Sequence, residues 1–310
     1  MRISEMNRFI KRASQFFIFF IGFSILINLV FLVLVAATDL DFIKRREFLK
    51  MQNADFNVVV LGTSLAEYGI DTELMTCNGL KSINLSFVGS TVKTNYIQLN
   101  EYLQKSTNKP DYVILAVNSH LEDFDKEGIQ PVVEFTMKGH KYSLKDLPIS
   151  KFNWAGMEMI KKLFRKQYRE TYLSYGQKKC DYSEPDLTDF NNLSLDLEKY
   201  ESSIWIGEIA RLCANNNIEL IVFEMPGEHK TRNNSAIGPF KVESPNSYHS
   251  TLYNFNNHQF CEFIDDDNDW AGLSHFNRFG AEKFTKEIIL RVFSKPASSN
   301  HDILSVLDWL

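Results

Sequence analysis

Two short stretches of this chain bring together residue types that can carry acyl chemistry. Val60-Leu61-Gly62-Thr63-Ser64 ends an apolar, β-branched run on a serine. Gly272-Leu273-Ser274-His275-Phe276-Asn277-Arg278-Phe279-Gly280-Ala281 sets a histidine just before a C-terminal helical pattern. A serine hydroxyl is a weak nucleophile until a neighbouring imidazole takes its proton. In open parallel α/β sheets, ligands bind outside the carboxyl ends of the strands. A serine at such a strand end and a histidine in a late loop can therefore meet. Each stretch also has a plainer reading. Ser64 suits a helix N-cap, and a lone histidine suits a structural role.

The elements that must position them alternate. Phe56–Leu61 reads as a buried strand and Ser82–Ser86 as a short second one. Asn95–Leu103 has a helical pattern, and Tyr112–Val117 is a third strand. Trp205–Ala214 reads as a helix stopped by Asn215-Asn216-Asn217. Ile218–Phe223 is the next strand, Phe260–Ile264 a weaker one, and Phe279–Phe293 a closing helix. Strands alternating with helices predict βαβ units and a mostly parallel sheet. The stretch from about 121 to 203 is too long for a plain crossover and reads as a helical insertion. Within it, Lys151–Tyr172 reads as an amphipathic helix packed on the domain edge, or as a basic, aromatic lid facing a glycan or a membrane. Asn233–Ser250 reads as a loop.

Phe16–Ala37 holds no charged residue, and at about 1.5 Å per residue it matches a hydrocarbon core of about 30 Å. It reads as an uncleaved signal anchor, with the small residues Val35-Ala36-Ala37 leaving cleavage as the alternative. Arg2, Arg8, Lys11 and Arg12 precede it, while Lys44, Arg45, Arg46 and Lys50 follow, so the flanking charge is nearly balanced. The expected layout is a short cytoplasmic tail (1–15), the span (16–37), a polar helical stalk (38–54), an α/β domain (55–295) and a C-terminal tail (296–310). The domain is expected outside the cytoplasm.

Composition narrows the function classes. The 310 residues are 44% hydrophobic and 24% charged, which excludes a largely disordered or collagen-like chain. The formal net charge of −5 removes the overall basic footprint of a nucleic-acid binder. Cys77, Cys180, Cys213 and Cys261 have no CxxC spacing and read as free thiols. His120, Glu122, Asp123 and Asp125 share one stretch but read as a solvated acidic loop, so neither metal nor cofactor is expected.

The order of these blocks resembles the SGNH (GDSL-like) hydrolase superfamily. The likeness is strongest to its membrane-anchored bacterial branch linked to acyl modification of surface polysaccharides, and it runs from about 56 to 293. It implies a flavodoxin-like, three-layer α/β fold with Ser64 as nucleophile and His275 as general base. It also implies an oxyanion site from Gly89, in Asn84-Leu85-Ser86-Phe87-Val88-Gly89, and from Asn118, in Ala116-Val117-Asn118. Two positions depart from the pattern. Val117 stands where a glycine is usual, and Gly272 stands where the family has the aspartate that orients the histidine. Asp269, in the run Asp265-Asp266-Asp267-Asn268-Asp269, is the nearest replacement. A Ser–His dyad oriented by a backbone carbonyl and a catalytically silent binding fold are the alternatives. The activity implied is that of an acyl, in particular O-acetyl, esterase or transferase. Its partners would be an acylated glycan or acyl donor and a membrane acyl-transfer protein. The competing functions are a non-catalytic module that binds glycan or such a partner, and an anchored scaffold of another α/β kind.

Overall fold

The computed structural model describes residues 3–51, 53–164, 171–184, 193–227, 231–272 and 275–294. In chain order the elements begin with α1 (Ile3–Thr38), α2 (Leu40–Lys50), β1 (Val58–Gly62), α3 (Ser64–Gly69), α4 (Thr72–Cys77), β2 (Ser82–Asn84), α5 (Val92–Lys105) and β3 (Tyr112–Val117). They continue with α6 (Pro131–Thr136), α7 (Pro148–Lys151), α8 (Asn153–Phe164), β4 (Thr171–Ser174), β5 (Gln177–Cys180), α9 (Leu197–Ser202) and α10 (Ile204–Ala214). The last are β6 (Glu219–Glu224), β7 (Phe240–Glu243), β8 (His249–Asn254) and α11 (Arg278–Ile288). The chain forms two compact units, Met1–Met51 with Ile129–Tyr168, and Gln52–Gly128 with Arg169–Leu310.

In the second unit six strands make one sheet in the order β2-β1-β3-β6-β8-β7. The first five run parallel, which is the flavodoxin-like order, and β7 joins the edge antiparallel. The order reverses between β1 and β3, so the carboxyl ends of those two strands open a crevice. Val58, Val60, Ile114, Ala116, Ile221 and Phe223 face a core completed by Phe255, Phe276, Phe284 and Ile288. Alternation sends Val59, Leu61, Val113, Leu115 and Val222 to the other face, where α5 and α10 pack. Burial on both faces is why these strands read as unbroken apolar runs.

Three sequence readings change here. Phe260–Phe263 forms a 3-10 turn rather than a strand, because Phe260 packs against the Phe255, Phe263 and Phe284 rings. The predicted loop 233–250 contains β7 and the start of β8; β7 buries only Val242, so no apolar run marks it. The long insertion is not one helical block. From Thr171 the chain belongs to the α/β body as the β4–β5 hairpin, with Tyr172 paired to Lys179.

In the first unit α1 is one continuous helix, long and apolar enough to cross a membrane. Asp39 caps α2 through the Asp41 and Phe42 N–H groups. Phe42 of α2 stacks edge-on to Phe152 at 4.7 Å, and the buried Arg45 Nε donates to Thr136 Oγ1 at 2.9 Å. Val35, Phe42, Val132, Phe152 and Ala155 make a small core of their own. The C-terminal tail 296–310 lies outside the described residues.

Candidate active site

Ser64 is the first residue of α3, immediately past β1. Its hydroxyl is not the helix cap. Thr63 holds that position, and its own hydroxyl donates to Glu122 Oε1 at 2.9 Å. The turn is tight because Gly62, at φ +153°, lies against the next strand. A Cβ there would sit 2.2 Å from the Ala116 carbonyl oxygen and 2.6 Å from the Ala66 Cβ. Ser64 is left half-buried, with Oγ 2.8 Å from His275 Nε2. The two residues lie 211 positions apart in sequence, yet they share a hydrogen bond at the strand-order reversal.

His275 is set by its neighbours in the motif. Phe276 is buried and stacks on Trp270 at 4.5 Å, pinning the loop in the core. Asn277 caps α11 by accepting from the Phe279 and Gly280 N–H groups, while its Nδ2 donates to the Asn268 carbonyl and to Ser183 Oγ. The Tyr68 ring stands 5.2 Å from the imidazole. Burial holds the Tyr68 hydroxyl pKa well above the usual tyrosine range.

A cavity of 510 Å³ is lined by Thr63, Ser64, Gly89, Glu122, Lys126 and His275 among others. Gly89 thus shares the cavity with the serine. Its loop is tied to α3 by the buried Glu67, which accepts the Val88 N–H at 2.8 Å and faces Lys178 Nζ at 3.4 Å. Glu122 is pushed up to about 8 by burial, against the pull of its Thr63 and Asn118 hydrogen bonds.

Two expected residues sit elsewhere. Asn118 is fully buried and lies outside the cavity lining. Its Oδ1 accepts the His120 and Leu121 N–H groups of its own turn, which aims Nδ2 at the Met225 carbonyl at 2.8 Å. Its amide serves the exit of β3, not the serine. Asp269 is also buried, but its Oδ2 accepts the Asp265 N–H and the Lys283 ammonium, each at 2.7 Å. It ties the acidic turn to α11 and makes no hydrogen bond to His275. The reason is local: the run 265–269 folds back on itself before the chain reaches the histidine loop. Asp125 accepts the Ser203 hydroxyl and the Ile204 N–H, closing the start of α10.

Neither Glu67 nor Glu224 stands out in the sequence as a site residue. Glu224 ends β6 with no exposed surface, accepts the Ser119 N–H at 2.9 Å and the Tyr200 hydroxyl, and is pushed up to about 7 by burial. A lone acid closing an apolar strand is the only trace it leaves in the sequence.

By sequence the chain matches no protein-family model and no curated protein. Among solved structures it is similar to a Bacteroides fragilis protein assigned as an acylhydrolase, at 11% identity and a TM-score of 0.32, over 82% of this chain and 96% of that one. The structure establishes a mixed α/β body with a mostly parallel sheet, a long apolar N-terminal helix, and a serine hydrogen-bonded to a histidine at the sheet's reversal point.

Proposed function

We propose that this chain is a serine-dependent acyl-transfer enzyme of SGNH type, an esterase or O-acyltransferase acting on a cell-surface polysaccharide. The observation that carries the reading is the 2.8 Å hydrogen bond between Ser64 Oγ and His275 Nε2 at the carboxyl edge of β1. Ser64 attacks the acyl carbonyl, and its proton passes to Nε2. The carbonyl oxygen gains the negative charge and is met by the backbone N–H groups of Ser64 and Gly89. Preorganised donors of this kind contribute about 3 kcal/mol each to the transition state. Collapse expels the alcohol, which takes the proton back from Nε2, and leaves the acyl group on Ser64. Water or a glycan hydroxyl then resolves it. The helix α1 anchors the enzyme, and the α/β body works outside the cytoplasm, where a polymer and a membrane acyl-transfer partner both reach it.

The test is fluorophosphonate labelling of the full chain in detergent, read by intact mass. A single adduct is expected, absent in Ser64→Ala and slowed by about 10³–10⁴-fold in His275→Ala. A folded chain that takes no adduct would sink the enzyme reading in favour of a non-catalytic binding module. The inward-turned amide of Asn118 is the observation on that side.

A further inference from the structure

The histidine loop is folded back on itself. Ala271 N–H donates to the His275 carbonyl at 2.7 Å, and His275 N–H donates to the Gly272 carbonyl at 3.2 Å. Residue 272 is thereby held against residue 275. A second segment runs beside this loop. Glu184 N–H donates to the Trp270 carbonyl at 2.8 Å, and Glu184 pairs in parallel with Ala271. Ser183 fixes the register: its hydroxyl donates to the Asn268 carbonyl at 2.8 Å and accepts from Asn277 Nδ2 at 3.0 Å.

Gly272 has φ +115°, a conformation that side-chain-bearing residues rarely adopt. A Cβ built on it would lie 3.2 Å from Glu184 Oε2 and 3.8 Å from its Cδ. The space that a side chain at 272 would enter is therefore occupied by a carboxylate from another part of the chain. The other acids of the neighbourhood are engaged: Asp269 with Lys283 and Asp265, and Asp181 with Arg278 at 3.1 Å.

We infer that Glu184 is the positioning residue for His275, its carboxylate accepting the Nδ1 proton from the slot that Gly272 leaves open. The inference rests on the proposed role of Ser64 as nucleophile. Nε2 must offer its lone pair to the Ser64 hydroxyl, so the ring proton belongs on Nδ1, and a carboxylate there fixes that tautomer and stabilises the imidazolium. During attack the Ser64 proton moves to Nε2, and the leaving alkoxide then takes it. The Nδ1 proton stays on the ring throughout. Among the described residues, Tyr68 from α3 and the Ser64 hydroxyl also face the imidazole.

The experiment follows the His275 imidazole by NMR in the full chain, in detergent, with histidine labelled at Cε1 and the resonance identified by its loss in His275→Asn. Glu184→Gln keeps the backbone pairing and removes only the charge. It is expected to lower the His275 pKa by about one unit or more, because an opposite charge within reach favours the imidazolium. Fluorophosphonate labelling of Ser64 should fall by about 10²–10⁴-fold. Glu184→Asp, which keeps the charge, should hold the titration near wild type, and Asp269→Asn should not move it. An unchanged His275 titration in Glu184→Gln overturns the inference, even if labelling falls, since a structural role alone would slow labelling without moving the pKa. Labelling separates the two proposals. A wild-type chain labelled at Ser64 with an unmoved titration in Glu184→Gln leaves the function standing and removes Glu184. A wild-type chain that is not labelled removes the function, while the titration still decides Glu184.

Discussion

Ser64 and His275 meet from two sides that are held in place by different means. The serine leaves β1, which is hydrogen-bonded to β2 on one side and β3 on the other, and turns sharply at Gly62 into α3. Its position follows from main-chain pairing and from one close approach of backbone to backbone. Among the described residues, the loop that carries the histidine pairs with itself and with Glu184. Side chains hold that loop: Phe276 in the core, Asn277 across the start of α11, and Asp269 on Lys283. A side held by backbone packing tolerates almost no change at its tight point. A side held by several polar side chains loses stability in steps.

The largest expected effect therefore falls on the serine side. Gly62→Ala places a methyl 2.2 Å from a backbone oxygen in the middle of the sheet. It should cost at least about 3 kcal/mol, or prevent folding altogether. Denaturant unfolding checks this, and a near-neutral result would break the contrast.

Asn277→Ala comes next. It removes the cap on two N–H groups of α11 and two donors that hold the loop. A loss of about 2 kcal/mol is expected, with slower labelling of Ser64 in a chain that still folds. If labelling stays at the wild-type rate, Phe276 and Asp269 hold the loop without Asn277.

Glu122 and Glu224 give the serine side a pH dependence. Their folded pKa values, about 8 and about 7, lie above the ordinary 4.5. The folded chain thus binds these protons more tightly than the unfolded one. Their contribution to stability is complete below the ordinary value and is lost as pH rises through the folded values. The melting temperature of the α/β body should fall between about pH 5 and about pH 8, and the fall should be shallower in Glu224→Gln. A calorimetric series with equal slopes in both chains would count against these two buried carboxyls.

The smallest effect is expected at Lys283. Its side chain is 44% exposed, and Asp269 keeps the Asp265 N–H when the lysine is gone. Lys283→Ala should cost less than about 1 kcal/mol and leave the labelling rate within about twofold. A large loss of labelling would show that the histidine side depends on this one pair.

How far the site was legible follows the same division. The runs at 56–61, 112–117 and 218–223 carry their burial in their composition, so β1, β3 and β6 stand out within a residue or two. β4, β5, β7 and β8 do not. None of them carries an unbroken apolar run, and β7 and β8 alternate buried residues with exposed or half-buried ones. The pairing of GTS with the HFN block was legible because each residue there has a separate physical demand. Gly62 makes the turn, His275 faces Ser64, Phe276 enters the core and Asn277 caps the helix.

Sequence by itself determined the long apolar helix, the alternating α/β order and the two strand-end blocks, because hydrophobic period and turn chemistry are local properties. Only the tertiary structure decided which carboxylates and amides serve which partner. Asp269 is near His275 in sequence but is spent on Lys283, and Asn118 is spent on its own turn. Glu184 lies far from His275 in sequence and reaches the slot beside Gly272. A polar side chain pairs with whatever the fold brings within about 3 Å, and that neighbourhood is set by packing over the whole chain.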